Sequence, residues 1–119
     1  MWIYFRGTGE LVRNGVVAGA GYAGCGEGLN NPAMSNVPDV GPLPAGDYTI
    51  GKFGAHPDVG LFAAPLQVDA RNEMFGRDGF FLHGDNEEMN HTASEGCIVM
   101  AREIREAVAA SGDTLLRVL

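Results

Sequence analysis

Long apolar runs, basic clusters and cysteines are all scarce in this chain of 119 residues. No stretch approaches the ~20 apolar residues that a membrane helix needs, which argues against membrane insertion. Lys and Arg number 8 against 15 Asp and Glu, for a net charge of −7. No basic run interrupts that surplus, so neither nucleic acid nor an anionic membrane is expected to bind through a positive patch. The opening Met1-Trp2-Ile3-Tyr4-Phe5-Arg6 is apolar. It lacks the leading positive region and small-residue cleavage site of a secretory signal. The expectation is a chain made in the cytoplasm without a signal peptide, so that any substrate outside the cell is reached by injection, phage lysis or fusion to a delivery module.

The two cysteines, Cys25 and Cys97, could form one disulfide. A chain made in a reducing compartment starts with both as thiols. Cys25 lies in a glycine-rich stretch and reads as a bystander.

What is present suits one domain over residues 1–119. A hydrophobic fraction of 45% is enough for a single core. The 18 glycines are spread widely and read as turns between short strands. Strands are expected over residues 2–6, 10–13 and 16–20, with Asn14-Gly15 as a two-residue hairpin turn. Residues 21–39 read as a long loop on the rim of a cleft. A rigid turn, Gly41-Pro42-Leu43-Pro44-Ala45-Gly46, feeds a strand over residues 47–52. Residues 57–65 read as irregular, 66–69 as a strand, and 80–83 as a short buried strand. Residues 85–93 form a polar loop, and residues 114–119 a closing strand. The only helix expected covers residues 101–110. Its apolar face is read as Ala101, Ile104, Ala107 and Val108, with Arg102 and Glu106 pairing outside and Gly112 ending it. The sum is a mainly β sandwich or barrel with one short helix in the C-terminal half.

The chemistry concentrates in two neighbouring elements. His83-Gly84-Asp85 leaves the apolar run Phe80-Phe81-Leu82, and Ser94-Glu95-Gly96-Cys97 enters a second one, Ile98-Val99-Met100. A cysteine attacks as thiolate and needs a base or a positive field. A histidine beside it in space supplies both, and the glycine before it lets a carbonyl approach the backbone. The N–H groups of Gly96 and Cys97 are then candidates for holding an oxyanion. His83 is favoured as base over His91 because it leaves an ordered strand; His91, in the polar loop, is a base, a substrate contact or a surface residue. His56 is given no role. Asp85 has two readings, orienting His83 as a third member or fixing its loop. Ser94 hydrogen-bonds in the turn or to substrate.

Together these elements resemble the active-site signature of the L,D-transpeptidases: His-Gly-x, a variable stretch, then Ser-x-Gly-Cys-Ile. Glu95 stands where the usual pattern has histidine, and the gap from His83 to Ser94 is short. Both departures resemble the shortened subfamily used as type VI secretion effectors. Gly21-Tyr22 through Asn30-Asn31-Pro32, and Gly41 through Ile50, are similar to that subfamily's upstream segments, so the resemblance covers nearly the whole chain. It implies a β-rich fold and a cysteine acyl-enzyme formed on peptidoglycan stem tetrapeptides, with no cofactor. Cys97, His83, Ser94, Gly96 and Asp85 would form the catalytic group, and Tyr22, Asn31, Arg71, His91 and Glu95 would line the substrate path. Action in the periplasm of a target cell, a cognate immunity protein and a secretion-apparatus delivery component are implied as well. Water or an amine could resolve the acyl-enzyme. Two other readings stay open: a zinc hydrolase using His83, Asp85, His91 and Cys97, and a non-catalytic wall-binding module of a phage or secretion particle.

Overall fold

The structure is a computed structural model that describes residues 1–85 and 94–119. Among the described residues, ten strands and one α-helix follow in chain order. They are β1 (Trp2–Phe5), β2 (Glu10–Arg13), β3 (Val16–Ala20), β4 (Tyr22–Ala23), β5 (Gly46–Ile50), β6 (Gly54–His56), β7 (Gly60–Val68), β8 (Phe81–His83), β9 (Ile98–Val99), α1 (Arg102–Ser111) and β10 (Leu115–Val118). Strand order is β3-β2-β1-β10-β5-β7-β8-β9-β4, with β6 beside β7. The pairs β1–β10 and β8–β9 are parallel and the others antiparallel. The mainly β architecture with one short helix is the one expected from the sequence.

The two ends of this order, β3 and β4, are separated in the chain by Gly21 alone. Gly21 donates its N–H to Gly9 O at 2.8 Å. A Cβ there would lie 1.8 Å from Val99 O, so only glycine lets the sheet curl round and meet itself.

Period-two burial decides what faces inward. Trp2 and Tyr4 of β1, Tyr48 and Ile50 of β5, and Leu116 and Val118 of β10 point into one core with Leu43, Leu66, Leu82 and Ile98. Full burial of such a side chain contributes about 1.5–3 kcal/mol. Asn14 and Gly15 adopt φ of 53° and 77°, the twisted two-residue turn their sequence signals.

Three expectations need correction. Residues 21–39, read as one long loop, hold β4 and two 3-10 turns, Gly26–Gly28 and Pro32–Met34. Within 57–65, only 57–59 form a turn: β7 runs unbroken through Gly60–Val68. It serves three neighbours in turn, β6 near Gly60 to Ala63, β8 at Ala64 and Pro65, and β5 from Leu66 to Val68. Gly60, Phe62 (φ 52°) and Pro65 bend it at these hand-overs and hide the strand pattern. In α1 the Arg102–Glu106 pair forms at 3.7 Å, and Gly112 closes the helix with φ 70°. Its inner face, however, carries Ile104, Arg105 and Val108, while Ala101 and Ala107 are exposed.

Candidate active site

Strands β8 and β9 lie side by side in parallel, Leu82 opposite Ile98 and His83 opposite Val99. Alternation sends Leu82 and Ile98 into the core. It turns Phe81, His83 and Cys97 to the other face, where all three line a cleft of about 570 Å³. The two motifs therefore meet because of strand register, not because of the chain between them.

His83 is buried. Its Nδ1 lies 2.7 Å from Gly84 O. A carbonyl can only accept, so Nδ1 carries the proton and Nε2 is left as the basic nitrogen. Burial pushes the imidazole pKa down, and the nearby Arg105 charge adds to this, while the Gly84 bond and Asp85 act against it. His83 O also accepts the Met100 N–H at 2.9 Å, which fixes the strand exit.

Burial pushes the Cys97 thiol up, and Glu95 pushes the same way. The N–H groups of Phe81 and of Cys97 itself, and the charge of Arg77, act in the opposite direction. The Phe81 N–H reaches Sγ at 3.3 Å. Both shifts favour the uncharged forms of this pair.

The turn that presents Cys97 is built from Ser94 outward. Ser94 Oγ donates to Cys97 O at 2.6 Å and accepts the N–H groups of Gly96 and Gly24, both at 3.0 Å. Of the two oxyanion donors expected, Gly96 N–H is thus already engaged. Gly96 itself sits at φ 140°. A Cβ on it would meet Arg77 Nη2 at 2.5 Å and the Phe80 ring at 2.8 Å. Gly96 O accepts the Leu43 N–H at 3.0 Å, which ties this turn to the Gly41-to-Gly46 segment.

Asp85 Oδ1 accepts a hydrogen bond from Tyr22 Oη at 2.6 Å, and the partner on His83 Nδ1 is the Gly84 carbonyl. This is a side-chain contact to β4, not one of the backbone contacts expected of a loop-fixing Asp85. Tyr22 and Asp85 line a separate depression beside Val99, Met100 and Arg105. Glu95 lines the Cys97 cleft, together with Asp39, Asp58 and Asp78. Asn31 caps a 3-10 turn, Pro32–Met34, by accepting from Ala33 N, and its Nδ2 donates to Glu27 O. Arg71 pairs with Asp69 at 2.9 Å, on the side of the molecule where Asp47 and Leu115 lie. Neither Asn31 nor Arg71 borders the cleft. His91 and most of the polar loop lie outside the described residues. Cys25 and Cys97 are both free thiols. No group of three His, Cys, Asp or Glu side chains placed to hold a metal occurs among the described residues.

Two arginines that the motif analysis passed over are buried here, Arg77 and Arg105. Arg105 Nε donates to Met100 O at 3.1 Å, and its Nη1 to Leu61 O and Phe62 O at 3.2 and 2.8 Å. Its Nη2 lies 2.6 Å from where a Gly84 Cβ would be, so it backs the residue that holds His83. A signal for it existed: residues 101, 104, 105 and 108 make the i, i+3, i+4, i+7 stripe of a helix.

The mainly β domain thus carries a buried imidazole and a half-buried thiol on one cleft. Residues 18–113 match the model of the Tlde1 domain, and the chain belongs to this family of type VI secretion effectors. A secretion apparatus and an immunity partner fit an effector of this family, as does delivery into target cells. No curated protein and no solved structure matches the chain. No helix among the described residues is long and apolar enough to cross a membrane.

Proposed function

We propose that residues 1–119 form one catalytic domain, a cysteine L,D-carboxypeptidase or L,D-transpeptidase acting on peptidoglycan stem tetrapeptides in the periplasm of a target cell. The observation that carries this reading is the shared cleft of His83 and Cys97, with His83 Nδ1 tied to Gly84 O and Nε2 left as the basic nitrogen. His83 Nε2 takes the Cys97 proton as Sγ attacks the carbonyl carbon of the third stem residue. The oxyanion forms beside the Cys97 N–H. The C–N bond to D-alanine then breaks, and the imidazolium returns its proton to the leaving amine. Water completes hydrolysis of the thioester, or an amine takes the acyl group. The four carboxylates lining the cleft suit a stem peptide that presents an ammonium group near the reacting carbonyl.

Mass spectrometry of digested peptidoglycan tests this. The wild type should shorten or exchange stem tetrapeptides at their terminal D-alanine, with or without EDTA, and Cys97→Ala should not. Export to the periplasm by a fused signal peptide should lyse cells with the wild type and spare them with Cys97→Ala. Near-normal cleavage by Cys97→Ala would end the cysteine reading, and loss with EDTA restored by zinc would replace it with a metal one.

A further inference from the structure

Arg77 stands outside the sequence signature, in Gly76-Arg77-Asp78-Gly79, yet it is the buried cation on the Cys97 side of the cleft. A guanidinium offers five N–H donors in a rigid plane and accepts nothing. Here four bonds go to backbone carbonyls from three separate stretches of chain. Nη1 donates to Ser35 O at 2.6 Å and Pro42 O at 2.9 Å. Nη2 donates to Gly41 O at 2.9 Å and Glu95 O at 3.1 Å. The guanidinium carbon lies 5.2 Å from the centroid of the Phe80 ring. Among the described residues no carboxylate forms an ion pair with it.

We propose that Arg77 is the positioning residue for Cys97, locking the Ser94-to-Cys97 turn onto the Gly41-Pro42 turn and keeping a positive charge near the thiol. The inference rests on the Cys97 reading given above. Each half has its own geometry. The Glu95 carbonyl and the missing Gly96 Cβ bring the guanidinium against the two residues before the nucleophile, so the turn cannot shift without breaking a charge-assisted bond. Carbonyl dipoles satisfy the N–H groups but leave the unit charge in place. That charge matters because Asp39, Asp58, Asp78 and Glu95 line the same cleft, and His83 is neutral when it starts the reaction. Without Arg77 a thiolate would form among carboxylates with the His83 imidazolium alone as counter-charge. Arg77 lowers the thiol's pKa against the burial that raises it.

The separation of these two jobs is testable in a Cys25→Ser background, where Cys97 is the one thiol left to alkylate. Thiol pKa is read from the pH dependence of iodoacetamide alkylation, turnover from released D-alanine, and folding from the thermal transition. Arg77→Met removes fork and charge together. The alkylation midpoint should move up in pH, and turnover should fall ~10²-fold, the usual cost of misplacing a reacting group by about 1 Å. Arg77→Lys keeps the charge and loses the fork. Its midpoint should return toward the wild type while turnover stays low. A folded Arg77→Met with unchanged midpoint and turnover would overturn the proposal. So would variants whose thermal transition falls while midpoint and turnover per folded molecule hold, because Arg77 would then be structural only. Should Arg77→Met fail to fold, wild-type turnover in Arg77→Lys is the refuting result. The midpoint needs no substrate, so it still decides on Arg77 if Cys97→Ala retains turnover and the Cys97 reading fails.

Discussion

Replacing Gly96 with alanine adds one methyl group at the tightest point of the candidate site. Two costs follow from the geometry. At φ 140° an L-residue is held in a region that costs about 1–3 kcal/mol. The new Cβ would also stand 2.5 Å from Arg77 Nη2, 2.8 Å from Phe80 Cε1 and 3.2 Å from Gly41 O, in contact with a guanidinium, an aromatic ring and backbone. Overpacking of that kind costs about 1–3 kcal/mol. Their sum, about 2–6 kcal/mol, is a large share of the ~5–15 kcal/mol that holds a domain together. A fall in Tm of roughly 10 °C or more is expected by calorimetry. Relief of the clash has to move either Arg77 or the Cys97 turn, so turnover of stem peptides should drop about 10²-fold in the fraction that stays folded. Equal Tm and equal turnover in Gly96→Ala would show that the turn has slack the structure denies. Lost stability with intact turnover would separate the packing of Gly96 from the placement of the thiol.

Arg105→Met should cost about 3–5 kcal/mol in urea denaturation, because it strips the charged donor from the carbonyls of Met100, Leu61 and Phe62; a loss below about 1 kcal/mol would mean that water replaces it. His83 makes stability depend on pH. Its folded pKa lies below the ordinary ~6.5, so the stability it contributes is present above that value and is lost as pH falls through the folded pKa. Tm should therefore drop on acidification below pH ~6.5 in the wild type, with a shallower slope in His83→Gln; parallel slopes would contradict the burial of a neutral ring.

Much of this was legible in the sequence where the signal is local. The Asn14-Gly15 hairpin, the Phe80-to-His83 strand and the Gly112 helix stop depend on a few adjacent residues, and the structure has them. Ile98-Val99 reads as an apolar run but not as a strand, since two residues carry no period. Of the nine-residue β7 only the end, read as 66–69, was legible, because three different partners and a positive φ at Phe62 interrupt the pattern before it. At the site, the motif pair His83 and Cys97 was readable, and its shared cleft follows from alternation on two parallel strands. The buried Arg77 was not readable, because its partners are carbonyl groups, which every residue type has. The Tyr22–Asp85 bond depends on β4 pairing with β9 across the curled sheet, a neighbourhood set by the whole topology.

The position of β10 bears on when the molecule can fold. It is the last strand in the chain yet stands fourth in the sheet, parallel to β1 on one side and antiparallel to β5 on the other. Until Leu115–Val118 has been synthesised, the β1–β3 meander and the strands bearing the cleft share no ladder through the middle of the sheet. Trp2 then pairs with Leu116, one of the longest loop closures the chain can make, and folding rates fall as contacts of that range come to dominate. The β8–β9 pair that carries His83 and leads from Cys97 needs no contact with β10. The last strand instead joins that half of the sheet to the β1–β3 meander.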